Sequence, residues 1–297
     1  MEKKDYNEMI FSREWEKYRD KEYFEYRKNW ADYPQKRIVS NAPLHLDIET
    51  TTACNLKCPM CARTILEKEG KISQCFITKE EYKKIIDEAS EIGVKSIKLN
   101  YLGEPLVHKD IVFQVEYAKK KGIIDVMFNT NGVLLNKELS KKLLDAGIDK
   151  IFISLDAINP KLYEQQRVGA KLGKVIDNIY DLVKLRDKYF PKTMIRLSMV
   201  MYKDEIWQRQ FEGMRIMWEG LVDAIGYGLF NKRGSEKEEF EKVDGFVCEQ
   251  LFQRMLLKCN GNVTVCCVDE YDELCMGNWK KESLYEIWNS KKYQNEK

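Results

Sequence analysis

Between residues 43 and 230 the chain repeats one pattern of apolar and polar positions. Short apolar or alternating segments, such as residues 44–49 and 150–155, predict β-strands. The longer segments between them have apolar residues every three or four positions, which predicts amphipathic helices. One helix start is marked by Thr78 with Glu81 three residues later, the sequence of a capping box. This strand–helix unit occurs about six times.

Strands that alternate with helices predict a parallel sheet whose strands are joined by helical crossovers. About six units are fewer than the eight of a closed barrel. We therefore expect an α/β protein with a partial (β/α)6 TIM-like barrel that stays open. Because ligands of such sheets bind at the carboxyl ends of the strands, the loops that follow the strands are the expected place for chemistry.

The segments outside this array have different patterns. The first 40 residues combine aromatic and charged side chains and predict one or two helices. A polar stretch at 231–241 predicts a connection, Asn260-Gly261 between two apolar alternating segments predicts a β-hairpin, and residues 282–290 predict a short helix. We predict an N-terminal helical extension, the barrel, and a cysteine-rich module of a hairpin plus a helix, at residues 1–42, 43–230 and 231–297.

Charge and hydropathy exclude several classes of protein. The 50 basic and 48 acidic residues give a net charge of +2, so neither nucleic acid nor an anionic membrane is an expected partner. No apolar run approaches the ~20 residues that span a bilayer. The charged N-terminus has no apolar segment behind it, which argues against a signal peptide. We expect a cytoplasmic protein.

Cysteines carry the candidate chemistry. The chain has nine cysteines in two main groups and only two histidines, which favours metal binding through sulfur over disulfides. Cys54, Cys58 and Cys61 have the spacing C-x3-C-x2-C and follow the first barrel strand directly. A structural zinc site usually has four protein ligands. Three thiolates on a cluster of four irons would leave one iron open to another ligand.

The order of strand, cysteine loop and β–α array resembles that of the radical S-adenosylmethionine (SAM) enzymes, from residue 43 to about residue 290. The resemblance implies that Cys54, Cys58 and Cys61 hold a [4Fe–4S] cluster whose open iron binds SAM. An electron from a flavodoxin- or ferredoxin-type donor then cleaves SAM to a 5′-deoxyadenosyl radical, which abstracts hydrogen from a substrate. A structural zinc site with a distant fourth ligand is the alternative.

The resemblance also implies positions that contact SAM or the substrate. Gly103 and Glu104 resemble the end of the family's Gly-Gly-Glu motif, with Leu102 in place of the first glycine. Arg167 resembles the arginine that pairs with the SAM carboxylate. The structural alternatives are an ordinary turn for the first pair and a surface salt bridge for Arg167. Met60, Ser154 and Asp156 are implied contacts of SAM. Asn129 is an implied contact of the cofactor or the substrate, with a plain turn as the alternative.

The second cysteine group resembles the SPASM and twitch modules of radical SAM enzymes. The order Cys248, Gly261, Cys266 fits the opening of such a module, in which cysteines around a hairpin hold an auxiliary [4Fe–4S] cluster. Five cysteines in this region favour a single auxiliary cluster, with zinc as the alternative. The expected ligands are Cys248, Cys266, Cys267 and Cys275, with Cys259 or Asp269 as possible replacements. Cys75 matches no motif and is expected to be a small buried hydrophobic residue.

The substrate is inferred from what the chain lacks. The 40 residues before the first strand are too few to fold alone as a peptide-recognition domain. We therefore favour the oxidation or epimerisation of a carbohydrate-type small molecule, such as an amino-sugar, a cyclitol or a nucleotide-sugar. The alternatives are the modification of a ribosomal peptide or protein side chain, and a non-catalytic iron–sulfur electron carrier. The sequence does not single out a catalytic acid or base.

Overall fold

The computed structural model describes residues 6–230 and 248–297, so the connection predicted at 231–241 lies outside the described residues. The strands are β1 (Tyr6–Ile10), β2 (His45–Ile48), β3 (Ser96–Lys98), β4 (Asp125–Thr130), β5 (Lys150–Ser154), β6 (Met194–Met201), β7 (Ala224–Leu229), β8 (Arg254–Leu257), β9 (Asn262–Thr264) and β10 (Cys275–Asn278). The helices are α1 (Lys21–Lys36), α2 (Ala62–Lys68), α3 (Lys79–Glu91), α4 (Ile111–Lys120), α5 (Lys137–Asp145), α6 (Pro160–Gln166), α7 (Leu172–Tyr189), α8 (Glu205–Trp218), α9 (Gln250–Gln253), α10 (Leu284–Asn289) and α11 (Lys291–Gln294). Within these ranges no helix is both long and apolar enough to cross a membrane.

One sheet contains all the strands, in the order β1-β7-β6-β5-β4-β3-β2-β8-β9-β10. Strands β2 to β7 are parallel neighbours in chain order. This confirms the predicted partial barrel. Strand β8 continues the sheet parallel to β2, and β9 and β10 follow it antiparallel, so the cysteine-rich module extends the barrel sheet.

Alternation along the strands separates a helix-covered face from an inner face. On β5, Ile151 and Ile153 are fully buried in the main core, whereas Phe152 and Ser154 are partly exposed on the other face. The same alternation continues along β6. Helix α3 begins with the predicted capping box between Thr78 and Glu81. Because β2 to β7 are parallel, the loops that follow these strands lie at one edge of the barrel.

The N-terminal segment closes the opposite end of the barrel. Trp15, Tyr23 and Tyr26 pack in a second core with Met194 and Ala224, which are the first residues of β6 and β7. The prediction of helices is correct for α1 but missed β1, which pairs antiparallel with β7. That pairing depends on a strand more than 200 residues away, which the local pattern does not contain.

A disulfide bond joins Cys75 to Cys259, 184 residues apart. The preference for metal binding over disulfides is therefore wrong for this pair, and so is the expectation that Cys75 is a simple buried hydrophobic residue. The fold explains the contact. The backbone of Cys75 hydrogen-bonds Thr52 near the end of β2, and Cys259 lies just after β8, the neighbour of β2. Because its sulfur is bonded to Cys75, Cys259 is excluded as a cluster ligand in this structure.

Replacing Cys75 with Ser is expected to lower the free energy of unfolding by about 2–4 kcal/mol, because the disulfide constrains the unfolded chain. Anaerobic denaturant titrations with and without a thiol reductant measure the effect. The reductant should bring the wild type to the stability of the variant and leave the variant unchanged. A wild type that is indifferent to the reductant would contradict the bond.

Candidate functional site

The first cysteine motif lies in the loop between β2 and α2, at the carboxyl edge of the sheet. Cys54, Cys58 and Cys61 are all free thiols. Burial raises the pKa of Cys58 to about 11, and the neighbouring thiols of Cys61 and Cys54 act in the same direction. The three thiols therefore lie close enough to interact electrostatically.

Neighbouring segments hold this loop in place. The Arg63 side chain is buried and donates from Nε to the Thr52 carbonyl at 2.5 Å. The Asn131 amide donates to Asn55 Oδ1 at 2.8 Å, which ties the cysteine loop to the loop after β4. Arg63 and Asn55 were not predicted as site residues, whereas Asn131 directly follows β4, in the same short segment as the predicted Asn129. The sequence signal for Arg63 and Asn55 is that they adjoin the predicted cysteines.

Gly103 lies where the loop after β3 presses against the loop after β2. A Cβ atom at this position would lie 2.0 Å from the Thr51 carbonyl oxygen and 2.9 Å from that of Ala53. The next residue, Glu104, donates its N–H to the Ala53 carbonyl at 2.9 Å. Only glycine allows this approach. The observation supports the prediction that Gly103 belongs to the site.

Glu104 is a buried brace between two strand ends. Its Oε1 accepts from the Thr130 hydroxyl at 2.6 Å and from the Leu106 N–H at 3.1 Å. Its Oε2 accepts from the Asn131 N–H at 2.7 Å. Burial raises the pKa of Glu104. In this structure the carboxylate orders the loop after β4, and its contact with the amino group of SAM stays a prediction.

Arg167 forms a two-point ion pair with Asp156, which follows β5. Its Nε and Nη2 donate to the carboxylate at 2.5 and 3.1 Å, and the Val200 N–H donates to the same carboxylate at 2.9 Å. Asp156 is fully buried, so the surface salt bridge considered as an alternative is wrong. Although burial opposes its charge, Asp156 raises the pKa of Arg167 above its usual range. Arg167 also acts on the Cys58 thiol, which places the guanidinium beside the cysteine loop.

The remaining predicted positions surround the same edge. Met60 is partly buried against the main core. Asn129 is exposed at the end of β4, and its backbone N–H donates to Asn100 Oδ1 at 2.8 Å. Ser154 is partly exposed and pairs in register with Ser198 of β6. The structure thus brings these positions to the carboxyl edge that holds the cysteine loop, while their contacts with a cofactor stay predictions.

The second cysteine group surrounds the hairpin of β8 and β9. Burial raises the pKa of the Cys266 thiol, and Cys267 and Cys248 are among the groups that act on it. Strand β9 ends at Thr264, so Cys266 and Cys267 are not restricted to opposite faces of a strand. Cys275 pairs with Thr264 across the sheet, and its thiol donates to the Gly277 carbonyl at 3.4 Å. Cys248, Cys266 and Cys267 therefore interact electrostatically, and Cys275 lies on the strand next to β9; their role as ligands of one cluster stays a prediction.

The Asp269 carboxylate accepts hydrogen bonds from neighbouring residues of the module. Its Oδ1 accepts from the Glu273 N–H at 2.8 Å, and its Oδ2 accepts from the Leu274 N–H at 3.0 Å and the Thr264 hydroxyl at 2.7 Å. Both oxygens therefore order the loop that leads to β10, which weakens its case as a ligand. In the described parts of the chain, no group of three or more His, Cys, Asp or Glu side chains is arranged around the position of a metal ion. Two groups of free thiols are the donor set that [4Fe–4S] clusters use.

Glu49, which follows β2, was not predicted as a site residue. Its side chain is buried, and its two oxygens accept from the N–H groups of Leu102 at 3.2 Å and Cys259 at 3.1 Å. Burial raises the pKa of Glu49 to about 7. The available signal was its place on the polar face of a strand, at the carboxyl end where the cysteine motif begins.

Comparison with known proteins identifies the class that this fold and these cysteines define. Residues 48–208 match the radical SAM superfamily, and residues 248–297 match the SPASM iron–sulfur cluster-binding domain. The chain therefore belongs to the radical SAM superfamily, as the sequence predicted. Its cofactors are those of that class, namely SAM, a SAM-binding [4Fe–4S] cluster and an iron–sulfur cluster in the C-terminal module.

Two curated relatives are each named probable GTP 3′,8-cyclase. The protein of Methanocaldococcus jannaschii is 37% identical over 134 residues, which cover 45% of this chain and 43% of the relative. The protein of Pyrococcus horikoshii is 36% identical over 186 residues, which cover 61% of this chain and 54% of the relative. The match thus spans about half the length of these relatives.

Solved structures share the fold at low sequence identity. BtrN in complex with AdoMet and 2-DOIA is 17% identical with a TM-score of 0.56, over 87% of this chain and 86% of BtrN. Streptococcus suis SuiB bound to S-adenosylmethionine is 16% identical with a TM-score of 0.66, over 94% of this chain and 73% of SuiB. These similarities support the architecture of a barrel with an appended cluster module.

Iron content tests the assignment of the two cysteine groups. The reconstituted wild type is expected to bind about eight irons in two clusters. Replacing Cys54, Cys58 and Cys61 together with Ala should leave about four, and so should replacing Cys248 and Cys266 with Ala. Colorimetric iron and sulfide analysis measures both. Cys75→Ser is the matched control and should keep the full iron count. If replacing one of the two cysteine groups left the iron content unchanged, the cysteines of that group would be excluded as ligands.

Glu49 is expected to make stability depend on pH. Its folded pKa of about 7 lies above the ordinary value of 4.5, so its contribution is complete below pH 4.5 and is lost as the pH rises through 7. Relative to Glu49→Gln, the wild type should lose up to about 3 kcal/mol over this range. Anaerobic denaturant titrations at several pH values measure the difference. The exposed Glu25→Gln is the control and should follow the wild type, whereas parallel profiles of wild type and Glu49→Gln would refute the prediction.

Proposed function

We propose that this radical SAM enzyme removes a hydrogen atom from a carbohydrate-type small molecule, such as an amino-sugar, a cyclitol or a nucleotide-sugar, and thereby oxidises or epimerises it. The polar inner face of the barrel is the observation that supports this substrate class. Ser154 and Ser198 pair across β5 and β6, and both are partly exposed. Asn129 is exposed on β4, one strand further along the sheet. Hydroxyl and amide groups of this kind recognise hydroxyl-rich ligands.

Arg196 adds a charged donor to the same face. It lies on β6 two residues before Ser198, and its guanidinium lies 5.2 Å from the centre of the Phe152 ring. Its Nε is 3.0 Å from Glu8, and the side chain is 12% exposed. Burial lowers the pKa of Arg196 to about 10, still well above neutral pH. Gly228 on the next strand has no atom within 4 Å of its would-be Cβ, which leaves space beside β6.

The end of the barrel opposite the cysteine loop is closed, which favours a small substrate. The aromatic side chains of the N-terminal segment pack beneath Met194 and Ala224, so the inner face opens towards the cysteine loop. A compact molecule held between these two ends would lie below the SAM site. An extended peptide would need to enter from the loop side alone.

The proposed site roles are those that the resemblance to radical SAM enzymes implies. Cys54, Cys58 and Cys61 would hold the SAM-binding cluster, which with SAM supplies the 5′-deoxyadenosyl radical. Gly103 keeps the adjoining loop close, and Arg167, fixed by buried Asp156, would bind the SAM carboxylate. Met60 would pack on SAM, and Glu104 would accept a hydrogen bond from the amino group of SAM. The auxiliary cluster would be held by Cys248, Cys266, Cys267 and Cys275.

The comparisons support more than one substrate class. GTP, named in the curated relatives, differs from the amino-sugars, cyclitols and nucleotide-sugars proposed here. Another structure of SuiB contains its precursor peptide, which keeps a peptide substrate as the alternative. Membership of an enzyme superfamily argues against the electron-carrier alternative. A flavodoxin- or ferredoxin-type donor would supply the electron.

Deuterium transfer tests the substrate class. The reconstituted enzyme is incubated anaerobically with SAM, dithionite and deuterated candidates: a cyclitol, a nucleotide-sugar, GTP and a peptide mixture. We expect deuterium in 5′-deoxyadenosine from a carbohydrate-type candidate, and mass spectrometry measures it. Transfer from peptides alone, or from GTP alone, would overturn the proposal.

Two variants serve as matched controls for this experiment. Cys54→Ala should form no 5′-deoxyadenosine. Ser154→Ala combined with Ser198→Ala should lower kcat/KM for the substrate about tenfold or more, because each lost hydrogen bond costs about 1 kcal/mol. Formation of 5′-deoxyadenosine without substrate should be unchanged in Ser198→Ala alone, because Ser154 is also an expected contact of SAM.

A further inference from the structure

Glu49 joins the SAM side of the enzyme to the auxiliary module. One carboxylate oxygen accepts from Leu102, the residue before Gly103, and the other accepts from Cys259, just after β8. The side chain is 2% exposed, so water does not replace these bonds easily. A single buried side chain therefore bonds both a loop of the barrel and the hairpin of the module.

Two further contacts cross the same junction. The first contact is made by Lys258, which is buried and is held within the module by the Asp269 carbonyl at 2.6 Å and by Asp272. Its ammonium lies 5.5 Å from the centre of the Tyr101 ring, so residues 101 and 102 face residues 258 and 259. The disulfide holds Cys259 to residue 75, whose backbone bonds Thr52, two residues before the first cysteine of the motif. The Cys259 N–H group that donates to Glu49 is therefore held by the disulfide of its own residue and by the contact of Lys258 with Tyr101.

We propose that Glu49 is a positioning residue that couples the SAM-binding loop to the auxiliary cluster module. A carboxylate has two acceptor oxygens and no donor, so it can serve two N–H groups at once. A glutamine of the same shape has one acceptor, and its NH2 group would oppose the second N–H. Movement of either segment is therefore transmitted to the other. The inference rests on the proposed roles of Gly103 and the four auxiliary cysteines.

The test compares Glu49→Gln with the wild type, both full-length with their clusters reconstituted, at pH 8. The readouts are KM for SAM and kcat in 5′-deoxyadenosine formation with dithionite, and the EPR spectrum of the reduced auxiliary cluster with and without SAM. We expect KM to rise about tenfold while kcat changes less than twofold. SAM should shift the auxiliary signal in the wild type and leave it unshifted in the variant.

Asp223→Asn is the matched control. Asp223 is also a buried carboxylate that accepts a backbone N–H, from Ile195 at 2.8 Å, but it lies beside β7, five strands from β2. This variant should lose stability and keep both the wild-type KM and the response of the auxiliary signal. An equal rise of KM in Asp223→Asn would show a general effect of destabilisation and would overturn the proposal. So would a wild-type auxiliary signal that does not respond to SAM.

Glu49→Asp is the second variant, with both acceptor oxygens on a side chain one methylene shorter. Its KM should fall between those of the wild type and Glu49→Gln. If Glu49→Gln does not assemble its clusters, the test rests on Glu49→Asp. A Glu49→Asp enzyme with the wild-type KM for SAM and the wild-type response of the auxiliary signal would then overturn the proposal. These readouts need no substrate, so they can succeed even when the deuterium experiment rejects a carbohydrate. A wild type that forms no 5′-deoxyadenosine would instead reject the SAM chemistry on which both proposals rest.

Discussion

The site depends on one close backbone contact, between Gly103 and the Thr51 carbonyl. With no Cβ at this position, the loop after β3 lies directly on the loop that carries the cysteines. Glu104 then reaches the loop after β4, and Asn131 of that loop returns to Asn55 beside the first cysteine. The three loops therefore form a closed ring of hydrogen bonds. A side chain at residue 103 would separate them and disturb every group that the ring orients.

Features encoded within one short segment were predictable, and features that join distant segments were not. Three thiols within eight residues and the capping box at Thr78 are local patterns, and both predictions agree with the structure. The disulfide and the pairing of β1 with β7 connect residues that only the finished fold brings together. Glu49 lies between these cases. Its polar position on a strand was visible, but its two partners come from loops 53 and 210 residues away.

Paired charges make the interior of the barrel polar without a large net charge. Asp47 is fully buried and contacts Lys98 at 2.5 Å and Arg254 at 3.2 Å. Although burial opposes ionisation, these cations hold the pKa of Asp47 well below its usual range. Lys150 and Asp125 form a similar pair at 2.5 Å. These pairs keep the buried charges inside the barrel balanced.

The pairing of β8 with β2 has a consequence for solubility. Within the described residues, β2 has barrel strand β3 on one side and the auxiliary module on the other, and β1 covers β7 at the far side of the barrel. A bare strand edge presents unpaired N–H and C=O groups that recruit other chains. The cluster module therefore covers the edge of β2 and moves the end of the sheet to the short strand β10. A barrel expressed without it would expose the strand that leads into the cysteine loop.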